Sequence, residues 1–362
     1  MLSLLRAWAA VVGRWAGPGV VGAVVLALAG CQPTESWEPG ETRRLKLAHV
    51  YEVHSPTHRY GTSELSAALA EAGVGLRVTV FPAGQLGNEA ELLEQLVAGE
   101  LDLAIAGPSF LGMWHAPLGV FDAAYVFQDL DHMLEVAKGP IMAPHWEQLR
   151  RAYGIRVLDT WAYGARHITA NRPIRRPADL ADFRLRLPGS NVWQASGRAL
   201  GARPLPVPFG EVYLALQQGI ADGQENPVPV IQAMGFHEVQ QYLSLTGHIQ
   251  SSIQILIGDR TWARLSPEEQ RVLRAAIERL GEQVYRDSQA EEDVLLSRWQ
   301  QDGTMAVVED VDLGAFRQRC RDFFATGFPF SDLYLQIADM PRTAAVGSES
   351  PSSGSTTNRP EP

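Results

Sequence analysis

Residues 76–106, LRVTVFPAGQLGNEAELLEQLVAGELDLAIA, read as strand, turn, helix and buried strand. Leu76–Phe81 alternates apolar and polar side chains, the period of a half-buried strand, and Asn88–Ala98 reads as a helix. Leu103–Ala106 is an unbroken apolar run of strand length. Upstream, the short apolar run Leu45–Val50 and a helix over Thr62–Glu71 complete a β-α-β-α-β order. That order predicts an α/β fold with a parallel-type sheet covered by helices, in which ligands bind at the carboxyl ends of strands. A second alternating set runs from Ile155 to Gln224, so the length suits two α/β lobes. Ile253–Gly258 reads as a further strand. Ser266, Pro267 and Glu269 then form a capping box with proline at the first helical position. The helix they open reaches about Gln301, which is long for a globular domain. There is no internal repeat.

Residues 207–227, VPFGEVYLALQQGIADGQENP, bear most directly on function. The segment predicts an amphipathic helix from Phe209 to about Gly219. Leu214 and Leu216 face a core, Glu211, Gln217 and Gln218 face water, and Gly219 stops the helix. Asp222, Gly223, Gln224, Glu225 and Asn226 then crowd hydrogen-bonding groups in front of Pro227, more than a plain connection needs.

The wording of this block resembles the substrate-binding proteins of TRAP transporters, the DctP-like family of periplasmic solute receptors. FPAGQLGNEAELLEQLVAGELDLAIAG (81–107), YGARHITANRPIRRPADLADFRLRLPGS (163–190) and the SPEEQ helix start at Ser266 resemble the same family in the same order. The resemblance covers about residues 44–340. It implies a two-lobed periplasmic binding protein-like fold, with a ligand cleft between the lobes and a long helix spanning both. Lobe I is expected over 44–163 plus 252–290, and lobe II over 164–251 plus 291–340.

The ends of the chain carry their own signals. Arg6 and Arg14 precede an apolar run, Val20–Ala29, too short to span a bilayer comfortably, and the run ends in Leu28, Ala29, Gly30, Cys31. Residues 1–30 therefore look like a bacterial lipoprotein signal with Cys31 as the lipidation site; an ordinary cleavable signal is the other reading, and either exports the chain. Residues 31–43 are polar and proline-bearing and read as a tether, and residues 343–362 lack an apolar period and read as a disordered tail. Localisation follows as periplasmic and lipid-anchored to a membrane.

Charge and cysteine usage narrow the class. The chain has 31 basic and 41 acidic residues, a net charge of −10. Removing residues 1–30 takes away Arg6 and Arg14 and no acid, which leaves 29 basic against 41 acidic residues and a net charge of −12. Such a balance offers nothing to nucleic acid, so an anionic ligand must be held by a local cationic site. The second cysteine, Cys320, has only Cys31 to pair with, so no disulfide is expected in the exported body.

The site expectations rest on residue chemistry and on the resemblance together. An arginine offers a planar fork that holds a carboxylate by two parallel hydrogen bonds. The family's L-R-x-P motif is present as LRLP, which implies that Arg186 holds the ligand carboxylate; Arg166 in AYGAR stands where the family has a second arginine. Asn226 matches the asparagine of the D-G-x-E-N-P motif, and Phe209 an aromatic that lines the pocket. Glu89 either accepts from ligand hydroxyls or favours the positive end of the following helix. Tyr51 and Glu52, at the end of the first strand, are further candidate contacts. His54 and His58 have helical metal-ligand spacing, but Pro56 between them opposes a helix through both. Family members that hold a metal-carboxylate ligand have tryptophan after the hinge glutamate, whereas Glu225 is followed by Asn226, so no metal or other cofactor is expected.

Sialic-acid-binding members carry glutamate where this chain has Gly107, so the expected ligand is another carboxylate: a sugar acid, a C4-dicarboxylate, a 2-oxo acid or an aromatic acid. No G-x-S-x-G, G-x-G-x-x-G or P-loop pattern is present, and an enzyme is not expected. The partners implied are the small and large membrane subunits of a TRAP permease, with the receptor a monomer. The alternatives are a ligand-sensing lipoprotein that docks on a sensor kinase and a structural lipoprotein that binds nothing.

Overall fold

The computed structural model describes residues 42–341. The signal segment, Cys31, most of the tether and the tail lie outside the described residues. The strands are β1 (Arg43–Ala48), β2 (Leu76–Phe81), β3 (Leu103–Ala106), β4 (Ile155–Ala170), β5 (Arg184–Leu187), β6 (Arg203–Pro206), β7 (Gly223–Asn226), β8 (Tyr242–Gly258) and β9 (Ala306–Val308). They form one sheet in the order β2-β1-β3-β8-β4-β7-β5-β6, with β9 beside β8.

The expectation of a parallel-type sheet holds only in part. β1 and β3 are parallel, as are β5 with β6 and with β7. The centre, however, is an antiparallel ribbon in which β4 and β8 pair from Ile155↔Gly258 to Ala170↔Tyr242. β3 joins the ribbon at Gln254–Ile257 of β8, and β7 joins it at the other end, at His167–Ala170 of β4. Each end of the ribbon thus carries its own set of strands, which makes the fold a two-lobed α/β structure with shared central strands. The expected strand Ile253–Gly258 is only the end of β8, because the polar residues Thr246, His248, Gln250, Ser251 and Ser252 break the apolar run before it.

Three register shifts interrupt the ribbon, between Val157 and Asp159, Ala162 and Gly164, and Arg166 and Ile168. Irregularities of this kind bend a strand and re-aim its side chains. At the middle one Gly164 has φ +130°, and an added Cβ would lie 2.7 Å from the Pro227 ring, so glycine is required there for both conformation and space.

Helices α1 (Ser63–Glu71) and α2 (Glu89–Ala98) cover the first strands. Asn88 caps α2 reciprocally with Glu91, and Leu92, Leu93 and Leu96 bury their side chains in the main core. α3 (Asn191–Leu200) and α4 (Val212–Gln217) belong to the β5–β7 region. The second is shorter than its sequence suggests, because Phe209–Glu211 forms a 3-10 turn first. Leu216 is buried as expected, but Leu214, expected to face the core, is 53% exposed.

The long helix α5 (Pro267–Asp302) starts at the expected capping box, with the Ser266 hydroxyl accepting from Glu269 N and the Glu269 carboxylate accepting from Ser266 N. Its 36 residues extend roughly 54 Å at 1.5 Å per residue. It lies across the ribbon on Trp161, whose Nε1 donates to Ile277 O at 3.1 Å. Gly281 lets the helix approach, since a Cβ there would stand 2.4 Å from the indole. Farther along, Leu295 and Trp299 join a second core with Val212, Leu216, Val228 and Phe236. One helix therefore spans both lobes.

Candidate functional site

Strand ends from both sets converge on a cavity of about 310 Å³, in the lower part of the usual range for small-ligand sites. Tyr51 follows β1 and Gly107 follows β3. Arg186 lies near the end of β5, and Asn226 closes β7. The carboxyl-end rule read from the sequence describes these four positions. The cavity wall includes Tyr51, Glu89, Arg166, Arg186, Phe209 and Asn226. Glu52, half-buried, is not part of that wall. His58 sits in a turn of wide helix over Thr57–Thr62 and packs on His49, Nδ1 to Nε2 3.3 Å. Among the described residues no group of three or more His, Cys, Asp or Glu side chains could hold a metal.

The two arginines have different surroundings. Arg166 is buried and paired with Glu225 by two parallel bonds, Nε to Oε2 at 2.5 Å and Nη2 to Oε1 at 2.9 Å. Nη2 also donates to Glu225 O and to Asn226 Oδ1. Its guanidinium lies over Trp193 at 4.8 Å. Burial alone would lower its pKa, but the Glu225 carboxylate more than offsets this and raises it. Glu225 is fully buried; burial opposes its ionisation, and Arg166 beside it more than reverses that. His248 Nε2, 3.4 Å from Glu225 Oε2, is held neutral by burial. Glu225, read from the sequence as a hinge residue, is thus the counter-ion of Arg166. Asn226 spends its oxygen on Arg166 and an amide N–H on Gln224 Oε1.

Arg186 has no such carboxylate partner. Only 1% exposed, it donates from Nε and Nη2 to Val207 O at 3.0 and 2.7 Å, and Nη1 has no partner. Burial pushes its pKa down to about 10, so it stays charged at neutral pH. Phe209 stands 5.9 Å from this guanidinium and edge-on to Tyr51 at 6.1 Å, which carries the aromatic wall from the arginine to the β1 end of the cavity.

Acidic groups supply the other polar part of the wall. Glu89 Oε1 accepts from Gly107 N at 2.9 Å, tying α2 to the end of β3, and enclosure pushes its pKa up to about 7. Sequence reasoning missed Asp122. It lines the cavity at 1% exposure and accepts from Ser109 N through Oδ2, while Oδ1 has no partner. Burial pushes it up to about 6 even with Ser109 beside it. No local motif marks it; the only signal is an acid inside the apolar run APLGVFDAAYVF. Tyr163, Trp193, Ser251 and Ser252 also line the cavity and were not anticipated.

Asp122 supports a pH prediction. Its folded pKa lies above its ordinary value, so its ionisation opposes folding above pH 6, where both states are charged, and has no effect below about 4, where both are protonated. Asp122→Asn keeps an acceptor for Ser109 N and removes the charge. It is expected to stabilise the ligand-free protein at pH 7 by about 1–3 kcal/mol. Urea titrations should show this gain shrinking as the pH falls from 6 towards 4; a gain independent of pH would contradict the assignment.

Cation forks, acceptors and aromatic walls around an enclosed space suit a small anionic solute. Residues 47–327 match the family model described as bacterial extracellular solute-binding protein, family 7, DctP, and the chain belongs to that family, the solute receptors of TRAP transporters. It is 31% identical over 249 residues to the sialic acid-binding periplasmic protein SiaP of Vibrio cholerae, covering 68% of this chain and 78% of that one. It is 36% identical over 236 residues to a solute-binding protein of Roseobacter denitrificans, covering 64% and 71%. Among solved structures, a TRAP solute-binding protein of Roseobacter denitrificans with bound L-galactonate superposes with a TM-score of 0.74 at 31% identity, over 82% of this chain and 99% of that one. One from a Polaromonas species bound to D-erythronate gives 0.76 at 29% identity, over 83% and 99%. No helix among the described residues is long and apolar enough to cross a membrane.

Proposed function

We propose that this receptor binds an organic acid of the sugar-acid type through an arginine clamp and delivers it to a TRAP permease of small and large membrane subunits. Arg186 carries the reading: its Nη1 is buried, charged and unpartnered at the wall of an enclosed cavity, and a carboxylate is the group that satisfies it. Arg166 contributes a second donor, Nη1, which makes none of its bonds to Glu225 or Asn226. Its charge is already balanced, so it orients the carboxylate while Arg186 neutralises it. The related proteins with bound L-galactonate and D-erythronate support the substrate class. Gly107 favours it over sialic acid, since no acidic side chain projects from the end of β3. The receptor acts as a periplasmic monomer held to a membrane through a lipid on Cys31.

The protein with Cys31 replaced by Ser, screened against sugar acids by thermal shift, tests the proposal. A ligand at 100 times its dissociation constant is expected to add about 2.7 kcal/mol of stability. If no carboxylate raises the melting temperature, the reading fails.

A further inference from the structure

Three features of the cavity wall bear on which carboxylates can enter. The first is the count of free charge. Arg166 is balanced by Glu225, so Arg186 is the wall's cation without a carboxylate partner. It can neutralise one carboxylate. A second one on the same ligand would stay uncompensated in an enclosed space, where an unpaired charge is strongly disfavoured.

The second feature is the pair of acids. Asp122 and Glu89 both line the cavity, and Asp122 acts through space to raise the pKa of Glu89. Glu89 has one oxygen on Gly107 N, and Asp122 has one on Ser109 N. Both would repel a second ligand carboxylate. The third feature is Asp122 Oδ1, a buried acceptor with no partner. An acceptor left so carries a desolvation penalty that a ligand donor would relieve. A hydroxyl can supply that hydrogen; an ionised carboxylate has none to give. Ser251 and Ser252 add hydroxyls to the wall that suit the same kind of ligand.

We propose that Asp122 is a specificity-determining residue whose Oδ1 accepts a hydrogen bond from a ligand hydroxyl, so that the site takes polyhydroxy monocarboxylates and rejects the matching dicarboxylates. The inference rests on the carboxylate reading above and narrows it. It also gives a use to a charge that works against folding at neutral pH.

The test compares aldonates with the aldarates that differ from them only by a carboxylate in place of the terminal alcohol, as galactonate differs from galactarate. Tetronate, pentonate and hexonate pairs are measured by calorimetry with wild type, Asp122→Asn and Arg186→Ala, each checked for folding by urea titration. Wild type is expected to bind at least one aldonate about 100-fold or more tightly than its aldarate. In Asp122→Asn the repelling oxygen is replaced by an amide donor. The preference should then narrow to roughly 10-fold or less, chiefly because the aldarate binds better. Aldonate affinity should change less, since a hydroxyl can accept as well as donate.

An unchanged ratio in Asp122→Asn, with both affinities falling together, would mean a purely structural role and overturn the proposal. So would a wild-type preference for the aldarates, or no binding of any aldonate. In either of those cases, a carboxylate whose binding is lost in Arg186→Ala leaves the carboxylate reading standing while this inference falls.

Discussion

Arg186→Ala is expected to weaken carboxylate binding by about 100-fold or more, because truncating one partner of a buried, hydrogen-bonded charge pair costs about 2–5 kcal/mol. The bound carboxylate would lose its neutralising cation in a cavity where Arg166 is already committed to Glu225. Stability of the ligand-free protein should change little, since the substitution removes a buried charge and an unsatisfied donor along with two bonds to Val207 O. Arg186→Lys separates charge from geometry. An ammonium keeps the charge and cannot hold Val207 O and a carboxylate in one plane, so intermediate binding is expected. Calorimetry with the best ligand of the thermal-shift screen decides the matter, and unchanged affinity in a folded Arg186→Ala protein removes the clamp from the mechanism.

Glu225→Ala should have the largest effect on folding. Arg166 would remain about as buried, with Asn226 Oδ1 and a backbone carbonyl as its remaining acceptors. Breaking a buried ion pair by deleting one partner typically costs 3–5 kcal/mol, because the surviving charge is left without compensation. Removing both charges with apolar residues of similar volume, as in Arg166→Met with Glu225→Leu, should recover most of that loss while still impairing binding. Urea unfolding of the single and double variants measures the coupling. If Glu225→Ala unfolds at the wild-type midpoint, the pair is not the desolvated unit that its geometry describes.

The arginines of the cavity wall could be read from the chain in part. LRLP and AYGAR pointed to Arg186 and Arg166, and both line the cavity. Their different surroundings were not readable, because the carboxylate that pairs with Arg166 stands 59 residues later, on the strand that happens to lie beside it. Asp122 was missed for the same reason. Its neighbours in sequence are apolar, and only the folded chain gives one of its oxygens the Ser109 N–H and leaves the other without a partner. Leu214 failed in the opposite direction: helical periodicity assigned it a core, and the 3-10 turn before α4 leaves it exposed.

Features that depend on residues within a turn or two of each other were settled by the amino-acid order alone. The capping box at Ser266, the strand-helix alternation and the end of α2 at Ala98 are of this kind, since propensity, capping and side-chain period act locally. The antiparallel β4–β8 ribbon, the pairing of Arg166 with Glu225 and the solitary charge of Arg186 needed the folded chain. Which strand lies beside which, and so which charge meets which, is decided by the packing of distant segments together. That packing pairs one arginine with a buried carboxylate and leaves the other without one.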